Sequence, residues 1–353
     1  MMVRVQSSTL WPGVPLAFGS AALFGAAAPF SKLLLGAMDP QLLAGVLYLG
    51  AGAGLAFVHL RATIGNSAQE APLRASDIPW LIAVIIFGGV LGPLLLMVGL
   101  ARTDAASGSL LLNLEGLATM AIAWLIFHEN VDRRLLFGAF AILIGATILS
   151  WEGRGISLDA GAMLIAAACL MWGIDNNLTR KLSAADPVLI AMAKGIAAGL
   201  VNTACALWRG VHFPKAGLIV AAAVLGFFAI GVSLVMFVLA LRHLGTARTG
   251  AYFSLAPFIG ALIAVALGAP FTVQLALAAS LMGVGVWLHL SERHEHEHLH
   301  EAMAHEHRHF HDEHHQHSHD GPVTEPHSHW HEHVPMRHKH PHYPDLHHRH
   351  GHH

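Results

Sequence analysis

Apolar residues run in long blocks broken by short polar stretches. Between Arg4 and Lys32 no residue is charged, and about 20 apolar residues are enough for a helix to cross a bilayer. That window is too long for a signal-peptide core and no cleavage pattern follows it, so it predicts a first membrane helix over residues 14–36. Asp39-Pro40 opens a second, running to Leu60. After the polar stretch from Arg61 to Asp77, a third is predicted over 78–101, a fourth over 107–127 and a fifth over 135–151. Beyond Glu152 to Asp159 a sixth covers 160–180, Asp186-Pro187 opens a seventh to Trp208, and an eighth covers 216–241. From Thr249 to Ser291 there is again no charge, too long for one crossing, and Gly268-Ala269-Pro270 is a break signal. The ninth and tenth helices are therefore placed at 247–268 and 271–290. The fold class this predicts is an all-α integral membrane protein of ten transmembrane helices, followed by a disordered tail.

The two halves echo each other. Phe24-Gly25, Lys32 and Asp39-Pro40 correspond to Trp172-Gly173, Arg180 and Asp186-Pro187. Gly92 and Met97 correspond to Gly231 and Met236, and Leu114-Glu115-Gly116 to Leu255-Ala256-Pro257. Two repeats of five helices each must insert in opposite senses, an arrangement characteristic of secondary transporters with a site near the midplane. The organisation read this way is a short N-terminus (1–13), a first repeat (14–151), a second repeat (159–290) and a tail (291–353).

Composition sharpens this picture. The 353-residue chain is 54% hydrophobic and 12% charged, against roughly 25% charged in soluble domains. Its formal charge of -2 carries no nucleic-acid footprint. Cys169 and Cys205 lie in apolar runs and imply no disulfide framework. No catalytic motif is present, so no enzyme is expected. With the N-terminus in the cytoplasm, nine Lys and Arg residues flank the inner ends of the helices and five the outer ends. That bias predicts both termini inside an inner (plasma) membrane.

Polar residues within apolar runs are costly and usually mark a bundle interior or a solute path. The sixth run ends in Trp172, Asp175, Asn176 and Asn177, and the seventh holds Lys194 and Asn202. The fourth contributes Asn113 and Glu115, and the ninth Tyr252. These nine residues form the candidate substrate site. The plainer alternative is an ion pair and amide bonds that lock helix packing, with Gly195 and Gly199 permitting close approach.

Phe24-Gly25, Trp172-Gly173 and the segment Leu125-Ile-Phe-His-Glu129 with Gly138 and Gly145 resemble the drug/metabolite transporter superfamily, EamA-like branch, over residues 14–290. The resemblance implies a multi-pass inner-membrane carrier that exports a small solute, with lipid bilayer and a small molecule as its partners. The chain departs from the family pattern at Gly268-Ala269-Pro270, so the part played by Glu129 is not duplicated, and at Gly116, where a proline is common.

The tail has a different character. It holds 24 of the 29 histidines. Neutral imidazole suits zinc, nickel, cobalt and copper, and His-rich tracts bind such metals by composition. The candidate metal ligands are His294, His296, His298, His300, His305, His307, His309, His311, His314, His315, His317 and His319. A helical continuation of the tenth helix would set His294/His298 and His307/His311 at i,i+4, a chelating spacing. No cofactor is required for transport. The alternative reading is a transition-metal efflux, sensing or buffering protein.

Overall fold

The computed structural model describes residues 13–64, 73–127, 133–151, 159–182, 186–244, 246–290, 295–300, 303–309, 327–333 and 336–341. The predicted membrane helices are all present within a residue or a few of their expected ends. In the first repeat α1 (Gly13–Leu35) and α2 (Pro40–Ile64) are continuous. The third crossing comprises α3 (Ile78–Val84), a π-helical stretch (Ile85–Leu91) and α4 (Gly92–Arg102). The fourth is split into α5 (Ala105–Leu111) and α6 (Leu114–Phe127), and α7 (Arg133–Ser150) closes the repeat.

The second repeat follows the same plan. After α8 (Ala160–Thr179) and α9 (Pro187–Trp208), the eighth crossing joins α10 (Ala216–Gly226) and α11 (Ser233–Leu244) through a second π-helical stretch (Phe227–Val232). The ninth is split into α12 (Thr246–Phe253) and α13 (Ala256–Ala266), and α14 (Val273–Leu290) ends the bundle. Among the described residues, nine stretches are long and apolar enough to cross a membrane, and the shorter α13 completes the remaining crossing. The π-helical turns and the breaks recur at matching places, which is the strongest structural sign of the repeat.

Local chemistry explains these ends and breaks. Asp39 and Asp186 each cap a helix whose first residue is proline. Asp39 Oδ1 accepts from Gln41 N at 2.9 Å and Leu42 N at 3.1 Å, and Asp186 Oδ1 from Val188 N at 2.8 Å. Proline is suited to that first position because its missing N–H has no partner there anyway. In the fourth crossing Asn113 Nδ2 donates to Leu110 O at 2.8 Å, and Cys169 Sγ lies 3.7 Å from Leu111 O. Asn113 N also donates to Leu110 O at 3.0 Å, so backbone and side chain of Asn113 meet on one carbonyl at the break. In the ninth crossing Pro257 stands in the first turn of α13, where it cannot extend the hydrogen bonding of α12.

The bundle is seamed by glycine. On α9 a Cβ at Gly195 would lie 2.8 Å from Gly52 Cα, and one at Gly199 would lie 2.9 Å from Gly45 O. The second helix of each repeat therefore crosses its counterpart backbone to backbone, as small residues permit in membranes. The core around this seam includes Leu42, Leu43, Leu47, Leu96, Leu100, Leu110, Ile165 and Met282. Phe137, Phe140, Leu125 and Ile126 are exposed on the bundle's outside, the arrangement expected of a surface that faces lipid.

Contacts between helix ends sort the loops into two faces. On one face Lys32 Nζ donates to Leu100 O at 2.6 Å, Thr103 Oγ1 to Asp159 Oδ2 at 2.8 Å, and Arg209 Nη1 to Gln41 Oε1 at 2.7 Å. On the other, His289 Nε2 lies 3.0 Å from Leu135 O and Lys181 Nζ stands over the Trp80 ring. Each contact joins ends that ten alternating crossings put on the same side.

In the tail, β1 (Glu295–His300) pairs antiparallel with β4 (Met336–Pro341), and β2 (Met303–His309) with β3 (His327–His333). The described tail residues are thus extended, and the His-x-His alternation matches the period of a strand. The sequence leads one to expect disorder here, and the structure instead pairs these residues in two-stranded ladders. His294, His311, His314, His315, His317 and His319, together with Glu129, lie outside the described residues.

Candidate transport site

Two linked polar groups occupy the middle of the bundle, and most of the sequence candidates fall into them. In the first, Lys194 on α9 forms an ion pair with Asp175 Oδ2 on α8. Thr179 Oγ1 donates to the other carboxylate oxygen at 3.3 Å. Both side chains are largely shielded, at 19% and 6% exposure. Burying two charges is tolerable only as such a pair with further hydrogen bonds.

The pair rests on the π-helical stretch of the third crossing. Gly88 packs directly against the Asp175 carboxylate, and a Cβ at Gly89 would lie 3.3 Å from Lys194 Cγ. The two glycines make the space that the pair fills. The Gly88 carbonyl accepts from Tyr48 Oη at 3.2 Å and from Trp172 Nε1 at 3.0 Å. Two residues on, Val90 O accepts from Asn202 Nδ2 at 3.2 Å. Side chains from α2, α8 and α9 therefore grip carbonyls of one irregular segment. Removing the donors one at a time, by Tyr48→Phe and Trp172→Phe, should each cost about 1 kcal/mol of stability, the net worth of an ordinary hydrogen bond. Thermal unfolding of purified protein measures it.

The second group lies at the broken fourth crossing. Glu115 is the second residue of α6, so its carboxylate sits at a helix N-terminus, where negative charge is favoured. Asn176 Nδ2 donates to Glu115 Oε1 and to Thr119 Oγ1, at 3.1 Å in each case. Asn177 Nδ2 donates to Thr119 O at 3.0 Å and to Gly173 O at 2.8 Å. Asn176 and Gly116 are exposed, and Asn177 is buried. The α6–α8 contact is close, with a Cβ at Gly173 reaching the Ala118 carbonyl carbon at 2.9 Å.

Not every candidate joins these groups. Asn113 is buried at the helix break, where it serves Leu110 O and lies 3.9 Å from Met282 Sδ. Tyr252 packs with the cluster of Ala17, Ala240 and Leu244. Asn202 belongs to the grip on the π-helical stretch. Tyr48, Thr119, Thr179 and Gly88 were missed by the sequence reading. Thr119 carried a usable signal, since it stands four residues after Glu115 on one helical face.

The fold and this interior define a class: a multi-pass membrane transporter built from two inverted repeats with discontinuous helices at its centre. The chain belongs to the EamA-like transporter family, which matches residues 11–151 and 159–291. An uncharacterized transporter of Methanothermobacter thermautotrophicus is 30% identical over 280 residues, covering 74% of this chain and 81% of that protein. The uncharacterized transporter YyaM of Bacillus subtilis is 22% identical over 239 residues, covering 62% of this chain and 74% of YyaM. A crystal structure with a TM-score of 0.58 and 19% identity covers 78% of this chain and 95% of the solved one, which shows a shared fold.

Proposed function

We propose that this protein is a secondary carrier that exports a small organic solute across the inner membrane by alternating access. The solute is held by the Glu115–Asn176–Asn177 group and the Asp175–Lys194 pair, with Trp172 and Asn202 setting their surroundings. Asn113 and Tyr252 support helix packing in this reading. The observation that carries it is a buried ion pair on α8 and α9 and a second carboxylate on α6, set against the π-helical stretch and the helix break of the first repeat. Intramembrane charge is retained where a path needs it.

Metal is assigned to the tail and not to the path. The mid-membrane groups are carboxylate, amide, hydroxyl and amine, and among the described residues no three His, Cys, Asp or Glu side chains converge as a metal cage. The tail, with both termini cytoplasmic, binds zinc, nickel, cobalt or copper as an accessory. Ligation needs neutral imidazole, so tail binding should weaken as pH falls through about 6.5. Isothermal titration of nickel into full-length protein at two pH values checks this. Truncation after Leu290 should abolish that binding and leave solute flux intact, and loss of flux from a stable truncated protein would make the tail part of the mechanism. Screening a deletion strain and an overexpressor for growth across amino acids and metals, followed by flux in proteoliposomes, tests the carrier reading itself.

A further inference from the structure

The charges of the interior do not cancel. Asp175 and Lys194 neutralise each other. Glu115 has amide and hydroxyl neighbours but no cation in its described hydrogen bonds. The N-terminus of α6 offsets only part of the carboxylate, since a helix end is equivalent to about half an elementary charge. Ionised, Glu115 would carry a charge that none of these hydrogen bonds pairs with a cation, which is costly in a low-dielectric bundle.

The groups around that charge are oxygen donors. Thr119 Oγ1 donates to Glu115 O at 2.9 Å, so toward other groups it can only accept. Asn176 Nδ2 stands 3.1 Å from both Glu115 Oε1 and Thr119 Oγ1. An amide nitrogen, the positive end of a dipole, is therefore held where a cation would sit. Turning the Asn176 amide over would present its oxygen to the same point. Asn177 adds a second, independent sign. Both acceptors of its amide, Thr119 O and Gly173 O, are carbonyls, so the nitrogen is fixed there. Its buried Oδ1 is then without a hydrogen-bond partner among the described residues. Asn177 thereby leaves a buried oxygen acceptor open at the α6–α8 contact.

We propose that Glu115, Thr119, Asn176 and Asn177 form a monovalent-cation site, taken by sodium as coupling ion or by the ammonium head of the solute. Hard cations prefer such carboxylate, amide and hydroxyl oxygens. An ionised Glu115 calls for one monovalent cation and not a divalent one. The exposed Asn176 is its entrance. The proposal deepens the carrier reading by assigning the ligand of one of its two polar groups.

The test is thermal unfolding of detergent-purified full-length protein at constant ionic strength, with EDTA present to keep divalent metal off the tail. Sodium chloride, methylammonium chloride and N-methyl-D-glucamine chloride are compared. Ligand binding to the folded state raises Tm by mass action. A saturable rise of a few degrees in sodium alone identifies an ion site, and a rise in methylammonium alone identifies the solute's head group. In either case Glu115→Gln and Asn177→Ala should remove the rise and Glu115→Asp should retain it at about tenfold weaker affinity. If Glu115→Gln fails to fold, Thr119→Val reads the same site. Identical Tm in all three salts, or an undiminished rise in the variants, overturns the proposal. Such a failure leaves the carrier reading standing, because this measurement requires no flux.

Discussion

Lys194→Met should lower stability by about 3–5 kcal/mol, because it leaves Asp175 buried without its counter-charge. The carboxylate is 6% exposed and lies against Gly88 in the π-helical stretch, so water cannot easily replace the lost ammonium. Asp175→Asn should behave similarly by stranding Lys194. The double variant Asp175→Asn/Lys194→Met removes both charges, and replacing a whole buried pair is often near neutral. It should therefore recover most of the lost membrane abundance and unfolding temperature. Flux should be absent in all three. A double variant that folds and transports normally would show that the pair only locks α8 to α9. A double variant as unstable as the singles would show that hydrogen bonding, as with Thr179, outweighs the charge pairing.

Gly199→Leu should also lower folded yield sharply. Its Cβ would approach Leu49 N to 2.6 Å and Gly45 O to 2.9 Å, both backbone atoms that cannot turn aside. The α2–α9 crossing would have to separate, at the upper end of overpacking costs, more than about 3 kcal/mol. Gly217, by contrast, has nothing within 4 Å of its Cβ position, so Gly217→Ala serves as the neutral control. Membrane abundance and unfolding temperature should fall sharply for Gly199→Leu and stay near wild type for Gly217→Ala. Equal behaviour of the two would mean that the second and seventh helices do not cross through this seam.

Much of this architecture was readable in the residues, and the exceptions have physical reasons. The ten crossings follow from uncharged windows and from the Asp-Pro pairs that cap α2 and α9. The Asp175–Lys194 pair was foreshadowed by opposite charges at matching depths of adjacent helices. The irregular stretches were not foreseen. Ile85–Leu91 and Phe227–Val232 contain no proline, and a π-helical turn is decided by packing against partners distant in sequence, such as Tyr48 and Trp172 on Gly88 O. The break at Leu112-Asn113 hinges on one amide that bonds back to Leu110 O, a choice Asn has in many places without breaking a helix. Tyr252 reads from the sequence as a lone aromatic that either lines a cavity or packs. In the structure it packs, against Ala17, Ala240 and Leu244.

Asn176 is the exposed member of the central group, which makes it the place to ask whether the interior opens to both sides. With Cys169 and Cys205 replaced by alanine, Asn176→Cys supplies a single thiol in the chain. The decisive measurement is its labelling by a membrane-impermeant methanethiosulfonate reagent, applied to right-side-out and inside-out vesicles in turn. Alternating access predicts that this one thiol is modified from either face, at rates that shift in opposite directions when a transported solute is added. A thiol reached from one face only under every condition, or from neither, would contradict a carrier built around Glu115, Asp175 and Lys194.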